Sequence, residues 1–342
     1  MSKVYVGMSG GVDSSLTAAL LVEAGHDVTG VYMKNWTQDM PGMRCPWADD
    51  LADAKRVAVR LGIDFKVFDF EQEYKQNVVD YMIAEYQAGR TPNPDIMCNQ
   101  EIKFKLFLQT ALAEGAEFVA TGHYANTKDG KLLKAFDENK DQTYFLYRVT
   151  EEALRKTLFP LGGYSKPQVR HMAAERGLST AAKKDSVGIC FVGQIGMREF
   201  LGQYVTTEPG DIIDKQTGKA VGRHDGAIFY TLGQRHGLDI GGGLPYYVVS
   251  KDMARNVVFV SRDLNDDSLW RKSLTLQDVH GINGAIPDGR YSVRIRHRAP
   301  LVDVTLQGTE LLFDHAERAA TAGQSVVLYS ADVCVGGGII AS

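Results

Sequence analysis

Four cysteines in 342 residues, none of them in a Cys-x-x-Cys pair, leave this sequence without a zinc ribbon or a disulfide framework. Whichever of Cys45, Cys98, Cys190 and Cys334 matters chemically therefore acts as a thiol, and no dedicated metal site is expected. No run approaches the roughly 18 apolar residues that a membrane span needs. Met1-Ser2-Lys3 passes straight into a strand-like run rather than a signal peptide, so a cytoplasmic location without a membrane partner is expected. Excess positive charge is missing too. A formal charge of −4 excludes a uniformly basic nucleic-acid binder and leaves local basic surface as the route to RNA. Neither Gly-x-x-x-x-Gly-Lys-Ser/Thr nor Gly-x-Gly-x-x-Gly occurs, which removes the Walker A loop and the dinucleotide fingerprint. Internal repeats and low-complexity segments are also absent.

What is there begins at the first strand. The apolar run Val4 to Met8 is followed by Ser9-Gly10-Gly11-Val12-Asp13-Ser14 and then by the helix-like stretch Leu16 to Glu23. The two glycines let backbone N–H groups approach an anion, the helix start adds unpaired donors and a positive dipole end, and Ser9, Ser14 and Ser15 add hydroxyls. A turn in which Asp13 or Ser14 merely caps the helix is the alternative. Placement after the first strand of an α/β pattern favours a ligand site, since ligands sit at the C-terminal ends of such strands. Asp27 to Met33, Ile63 to Phe68 and Phe118 to Thr121 read as further strands, and Asp49 to Leu61, Glu71 to Ala88 and Gln100 to Glu114 as helices. The alternation implies a doubly wound parallel sheet. Thr37 to Trp47 reads as a mobile loop, and Ser165 before Lys166-Pro167 as a capped helix start. Beyond Pro209-Gly210 short β-type runs separated by Gly and Asp take over. The expected organisation is an α/β domain over 1–205, a small central β domain over 206–271 and a barrel-like β domain over 272–342.

Two thiols stand in suggestive company. Cys98 follows Arg90-Thr91-Pro92-Asn93-Pro94-Asp95, a segment that Pro92 and Pro94 keep rigid. Cys190 follows Lys183 and Lys184, whose charges favour a thiolate. A buried core cysteine is the alternative at both positions, and Cys334 between Val333 and Val335 reads as core. Arg294, Arg296 and Arg298 would share one face if their run is a strand, offering RNA a basic edge or simply a solvated face.

The string Ser-Gly-Gly-Val-Asp-Ser resembles the PP-loop of ATP pyrophosphatases, which implies cleavage of ATP to AMP and pyrophosphate with the AMP activating a substrate oxygen. Taken with Arg90 to Asp95, Cys98-Asn99, Ala120-Thr121-Gly122-His123-Tyr124, Lys140-Asp141-Gln142, Lys184-Asp185-Ser186, Gly188-Ile189-Cys190-Phe191 and Gly336-Gly337-Gly338, the chain is similar over nearly its whole length to the tRNA-uridine 2-sulfurtransferases (2-thiouridylases). That resemblance implies ATP- and Mg²⁺-dependent thiolation of C2 of the wobble uridine of tRNA. It implies ATP contacts at Gly7, Met8, Ser9, Gly10, Gly11, Val12, Asp13, Ser14, Met33 and Gly122, and target-base contacts at Asn93, Pro94 and Asp95. It also implies a persulfide on Cys190, a thiol nucleophile at Cys98, and tRNA contacts at His123, Lys140, Asp141, Gln142, Arg296, His297 and Gln324. His297 departs from the tyrosine common in the family. A persulfide relay protein fed by a cysteine desulfurase would deliver the sulfur; the sequence itself does not give the oligomeric state, and a monomer is the default expectation. Two other readings stand beside it: a PP-loop synthetase forming an amide on a small molecule, which would need neither Cys98 nor Cys190, and an RNA-binding module with a vestigial nucleotide site.

Overall fold

A computed structural model describes residues 1–39, 45–184, 196–241, 243–318 and 320–341. The chain starts with a five-stranded sheet built from β1 (Lys3–Gly7), β2 (Asp27–Lys34), β3 (Asp64–Asp69), β4 (Phe118–Ala120) and, after the hairpin β5 (Asn126–Lys128) and β6 (Lys131–Leu133), β7 (Thr157–Leu158). The order is β3-β2-β1-β4-β7 and every pairing is parallel. Both faces are covered because β1 is apolar on both. Val4 and Val6 face a core shared with Leu16 and Ala19 of α1 (Val12–Glu23), Ala54 and Val57 of α2 (Trp47–Leu61), and Val169 and Ala173 of the helix Lys166–Glu175. Tyr5 faces the opposite core, filled by Tyr74, Val78 and Met82 and by Ile102, Phe104 and Phe107. Strand alternation thus decides which helix layer each residue meets.

That second layer contains two π-helical stretches, Lys75–Asp80 between Glu71–Tyr74 and Tyr81–Gln87, and Cys98–Leu106 between Pro94–Met97 and Phe107–Ala113. The helix at 166 begins with the expected cap: Ser165 and Gln168 form a reciprocal capping box and Pro167 occupies its first turn.

The central sheet consists of β8 (Gly210–Asp214), β9 (Ala220–His224), β10 (Tyr247–Asp252) and β11 (Val257–Ser261) in the order β10-β11-β8-β9 around Ile212, Tyr230, Val248 and Val258. The remaining strands are β12 (Trp270–Gly281), β13 (Gly289–Arg294), β14 (Val302–Gln307), β15 (Glu310–Arg318), β16 (Ser325–Ser330) and β17 (Val333–Ile340). They run β12-β15-β14-β13-β16-β17, and β17 pairs back onto β12, closing a six-stranded barrel. Closure removes the exposed edges of an open sheet. The α/β fold class with two following β domains is as the sequence implied. One connection is not: hairpin β5–β6 leaves the first domain and pairs with β17 of the barrel (Cys334 opposite Leu132), so the first and last domains share a sheet. Cys334 is fully buried there. Among the described residues no helix is long and apolar enough to cross a membrane.

Candidate functional site

The strand order reverses at β1: β2 and β3 lie to one side, β4 and β7 to the other. A crevice at the C-terminal ends of β1 and β4 is where open α/β sheets bind ligands. Gly7 ends β1 against Met33, whose Cε would stand 3.0 Å from a Cβ at Gly7. Gly10 adopts φ +73°, and a Cβ there would stand 2.3 Å from the carbonyl oxygen of Asp50 in the first turn of α2. Only glycine permits both that conformation and that approach. The loop is closed on itself by serines. Ser9 N–H donates to Ser14 Oγ (3.1 Å), while Ser14 Oγ and Ser15 Oγ donate to the Gly11 carbonyl (3.2 and 2.8 Å). The N-cap of α1 is Gly11, which has no side chain to cap the helix, so its first N–H groups are left for another acceptor.

From the end of β4, Gly122 presses on the same turn: a Cβ there would stand 2.8 Å from both Asp13 C and Ser14 N. Asp13 accepts from the Tyr124 hydroxyl (2.9 Å) and, through both oxygens, from Lys166 Nζ (2.7 and 2.8 Å). Lys183 pairs with Asp50 and Asp53 of α2, behind Gly10. The expected nucleotide residues Gly7 to Ser14, Met33 and Gly122 therefore lie together. Lys166 and Tyr124 join them without having been assigned a role from sequence. The Ser-Lys-Pro string signals only a helix start, and nothing local links it to a carboxylate 153 positions earlier.

The second part of the site is the segment ahead of Cys98. Thr91 N–H donates to the Ala322 carbonyl of the barrel (3.0 Å), and Asn93 Oδ1 caps the helix that follows, accepting from Asp95 N (3.1 Å) and Ile96 N (3.4 Å) with Pro94 as its first residue. Burial raises the Asp95 carboxyl above its ordinary value, opposed only in part by the charge of Lys103. Cys98 opens the π-helical stretch and is 4% exposed. π-Helical turns recur at functional sites because they re-aim side chains within a helix. The two parts touch: Phe104 of this stretch packs on the ring of His123, next to Gly122 (ring centroids 5.6 Å apart), and Lys103 acts electrostatically on both Asp95 and His123. Cys190, with the Asp185 to Ser186 and Gly188 to Phe191 strings, lies outside the described residues, as does the middle of the Thr37 to Trp47 loop.

The residues expected at tRNA have mixed placements. His123 is buried between Phe104 and Phe159 with Nδ1 2.7 Å from Thr121 Oγ1, and burial holds its pKa well below the usual value, so the ring is neutral. Asp141 is 2% exposed and accepts from Ala135 N (2.9 Å), Thr143 N (3.1 Å), Thr143 Oγ1 (2.5 Å) and Arg294 Nη1 of the barrel (3.3 Å). Gln142 Oε1 accepts from Tyr124 N–H (2.9 Å), and Lys140 N–H bonds back to the Asp137 carbonyl. Asp141 thus braces the first domain against the barrel, while Gln142 and the Lys140 main chain bond within the first domain. His297 stacks on Phe145 (4.4 Å), with its pKa pushed down to about 4 by burial and the neighbouring arginines. Gln324 joins the barrel through its main chain, and Arg296 is half-buried beside Tyr144 and Arg318. The shared face expected for Arg294, Arg296 and Arg298 is not found. β13 stops at Arg294, which is buried against Asp141 and the Tyr329 ring, while Arg298 is exposed in a left-handed turn at φ +63°.

Comparison with known proteins matches residues 2–194 to the family model described as tRNA methyl transferase HUP domain, 198–262 to the tRNA methyl transferase PRC-barrel domain and 271–340 to the aminomethyltransferase beta-barrel domain. The chain is 46% identical to tRNA-specific 2-thiouridylase MnmA 2 of Geobacillus kaustophilus, covering 99% of this chain and 94% of that one. It is 47% identical to tRNA-specific 2-thiouridylase MnmA of Streptococcus agalactiae (99% and 95%), and 46% identical to the protein of that name from Pseudomonas aeruginosa (99% and 94%).

Proposed function

Because the chain belongs to the tRNA-specific 2-thiouridylase family, we propose that it thiolates C2 of the wobble uridine of tRNA, with ATP activating the C2 oxygen and a cysteine persulfide supplying the sulfur. Family membership sets aside the amide-forming synthetase and the vestigial RNA-binding module. The observation that carries the proposal is the junction of two motifs: the glycine-shaped cradle of Gly10 and Gly122 adjoins, through His123 and Phe104, the helix that bears Asp95 and Cys98.

The cradle fits a polyphosphate. Its uncapped N–H groups and positive helix end suit an anion, and the two glycines leave backbone where a side chain would fill the space. Magnesium would arrive with the phosphates, neutralising their charge, since among the described residues no group of three His, Cys, Asp or Glu converges.

A uridine C2 carbonyl has a poor leaving oxygen, and the base must leave its stack to reach the site. In the proposed reaction that oxygen attacks the α-phosphorus of ATP and pyrophosphate departs, held by the N–H groups of the loop. Asp95, with its raised pKa, takes the N3 proton. The terminal sulfur of the Cys190 persulfide then attacks C2, and AMP leaves with the original oxygen. The Cys98 thiolate attacks Cys190 Sγ, the S–S bond to the base breaks, and 2-thiouracil recovers its proton at N3. The Cys98–Cys190 disulfide is reopened by an external dithiol. The roles of the two cysteines and of the sulfur-relay partner rest on the family resemblance.

The test is thiolation of a transcript carrying a wobble uridine with ATP, Mg²⁺ and a persulfide donor, read by mass spectrometry of the nucleosides. Wild type yields 2-thiouridine, and Cys98→Ser and Cys190→Ser do not. Persulfide-dependent turnover in either variant removes that thiol from the mechanism.

A further inference from the structure

The geometry points to Lys166 as a ligand for the polyphosphate of ATP, its ammonium resting on Asp13 at the loop until phosphate oxygens take the carboxylate's place. The inference rests on the ATP reading above and adds to it a residue outside the glycine loop.

Lysine is among the residues least often buried, yet the side chain of Lys166 is only 10% exposed. Its root is fixed: it is the first residue of the helix Lys166–Glu175, its N–H donates to Asp137 Oδ2 (2.9 Å), and Pro167 and the Ser165–Gln168 box hold the turn. Its tip is aimed at the loop, passing 5.8 Å from the centre of the Tyr124 ring to meet both oxygens of Asp13 at 2.7 and 2.8 Å. Asp13 is the more open partner, with 32% of its side chain exposed, so it is the member of the pair a ligand reaches first. Two carboxylate oxygens held by one ammonium offer the same donor–acceptor chemistry that two phosphate oxygens offer, at the loop whose N–H groups already suit an anion. A flexible four-carbon stem lets a lysine exchange one oxyanion for the other. A purely structural pair explains less. The helix at 166 and α1 already share a core through Val169, Ala173, Leu16 and Ala19, so the ammonium is not needed to join them.

The experiment is calorimetric titration of ATP and of adenosine, in EDTA so that metal affinity of Asp13 does not enter, into wild type, Lys166→Met and Asp13→Asn/Lys166→Met. Loss of a charge-assisted contact lowers ATP affinity about 10- to 100-fold in Lys166→Met. Adenosine affinity stays within about twofold, because no phosphate is involved. The double variant removes both charges of this pair and still does not regain ATP affinity. The inference is overturned if Lys166→Met binds ATP like wild type, if the double variant regains wild-type affinity (Lys166 then only neutralises Asp13), or if adenosine and ATP weaken together (its role is then structural). Wild type that binds adenosine no worse than ATP would overturn the ATP reading itself.

Discussion

Adding one methyl group at Gly122 tests the cradle where it presses on the first turn of α1. A Cβ at this position stands 2.8 Å from Asp13 C and Ser14 N, so the first turn of α1 must retreat by roughly 0.6 Å to reach ordinary van der Waals distance. The same loop is already packed on α2 at Gly10, where a Cβ would stand 2.3 Å from the Asp50 carbonyl oxygen. Gly122 itself needs no left-handed conformation, so the cost is steric alone. Overpacking of this kind destabilises by about 1–3 kcal/mol. A misplacement of about 1 Å slows catalysis on the order of 100-fold, so a shift of roughly 0.6 Å is expected to cost about 10- to 100-fold. Gly122→Ala is therefore expected to remain folded in a thermal melt while its tRNA-dependent pyrophosphate release falls by one to two orders of magnitude. Gly163→Ala is the control, since among the described residues nothing lies within 4 Å of a Cβ there, and it should match wild type in both assays. Pyrophosphate release by Gly122→Ala at the wild-type rate would refute the assignment of this loop as the nucleotide cradle.

The raised pKa of Asp95 makes its ionised carboxylate a cost to the folded state. Relative to the unfolded chain that contribution is favourable at low pH and is lost as pH rises from the unfolded value of 3.8 through the folded one. Asp95→Asn should accordingly gain more melting temperature over wild type at pH 8 than at pH 4, and yet abolish thiolation. An equal gain at both pH values would contradict the burial argument. Asp141→Ala leaves Arg294 buried without its partner and should cost about 3 kcal/mol in urea unfolding. The fraction that remains folded should bind tRNA with wild-type affinity, whereas a loss of affinity without a loss of stability would make Asp141 a contact residue. Cys334 is fully buried and its thiol is driven far above the ordinary range by burial, so it should resist alkylation in the native protein. Cys334→Ala should keep full thiolation activity at a cost of about 1 kcal/mol in stability.

What could be read from sequence followed the range of the interactions. The PP-loop string, the cap at Ser165 and the strand–helix alternation are local patterns, and each appears where its pattern places it. The proline-flanked turn before Cys98 is likewise local, and Asn93 proves to be its cap. Non-local pairings left no trace. Nothing in Asn126 to Leu133 announces that this hairpin joins the barrel sheet, and nothing near Lys166 announces Asp13. The spacing of Arg294, Arg296 and Arg298 misled because two-residue periodicity has meaning only while the strand continues, and β13 ends at the first of the three. The family resemblance implied tRNA contacts at Lys140-Asp141-Gln142, but the Asp141 carboxylate, accepting four hydrogen bonds of which one comes from a buried guanidinium, is an interior group.

The central claim is that ATP activates the C2 oxygen of a tRNA uridine, and the most direct test follows that oxygen. A tRNA carrying ¹⁸O at C2 of the wobble uridine is thiolated in a single turnover with ATP, Mg²⁺ and a persulfide donor, and the products are weighed. The account requires one ¹⁸O in AMP for each 2-thiouridine formed, with none in pyrophosphate or water. Thiolation that leaves AMP unlabelled would contradict it.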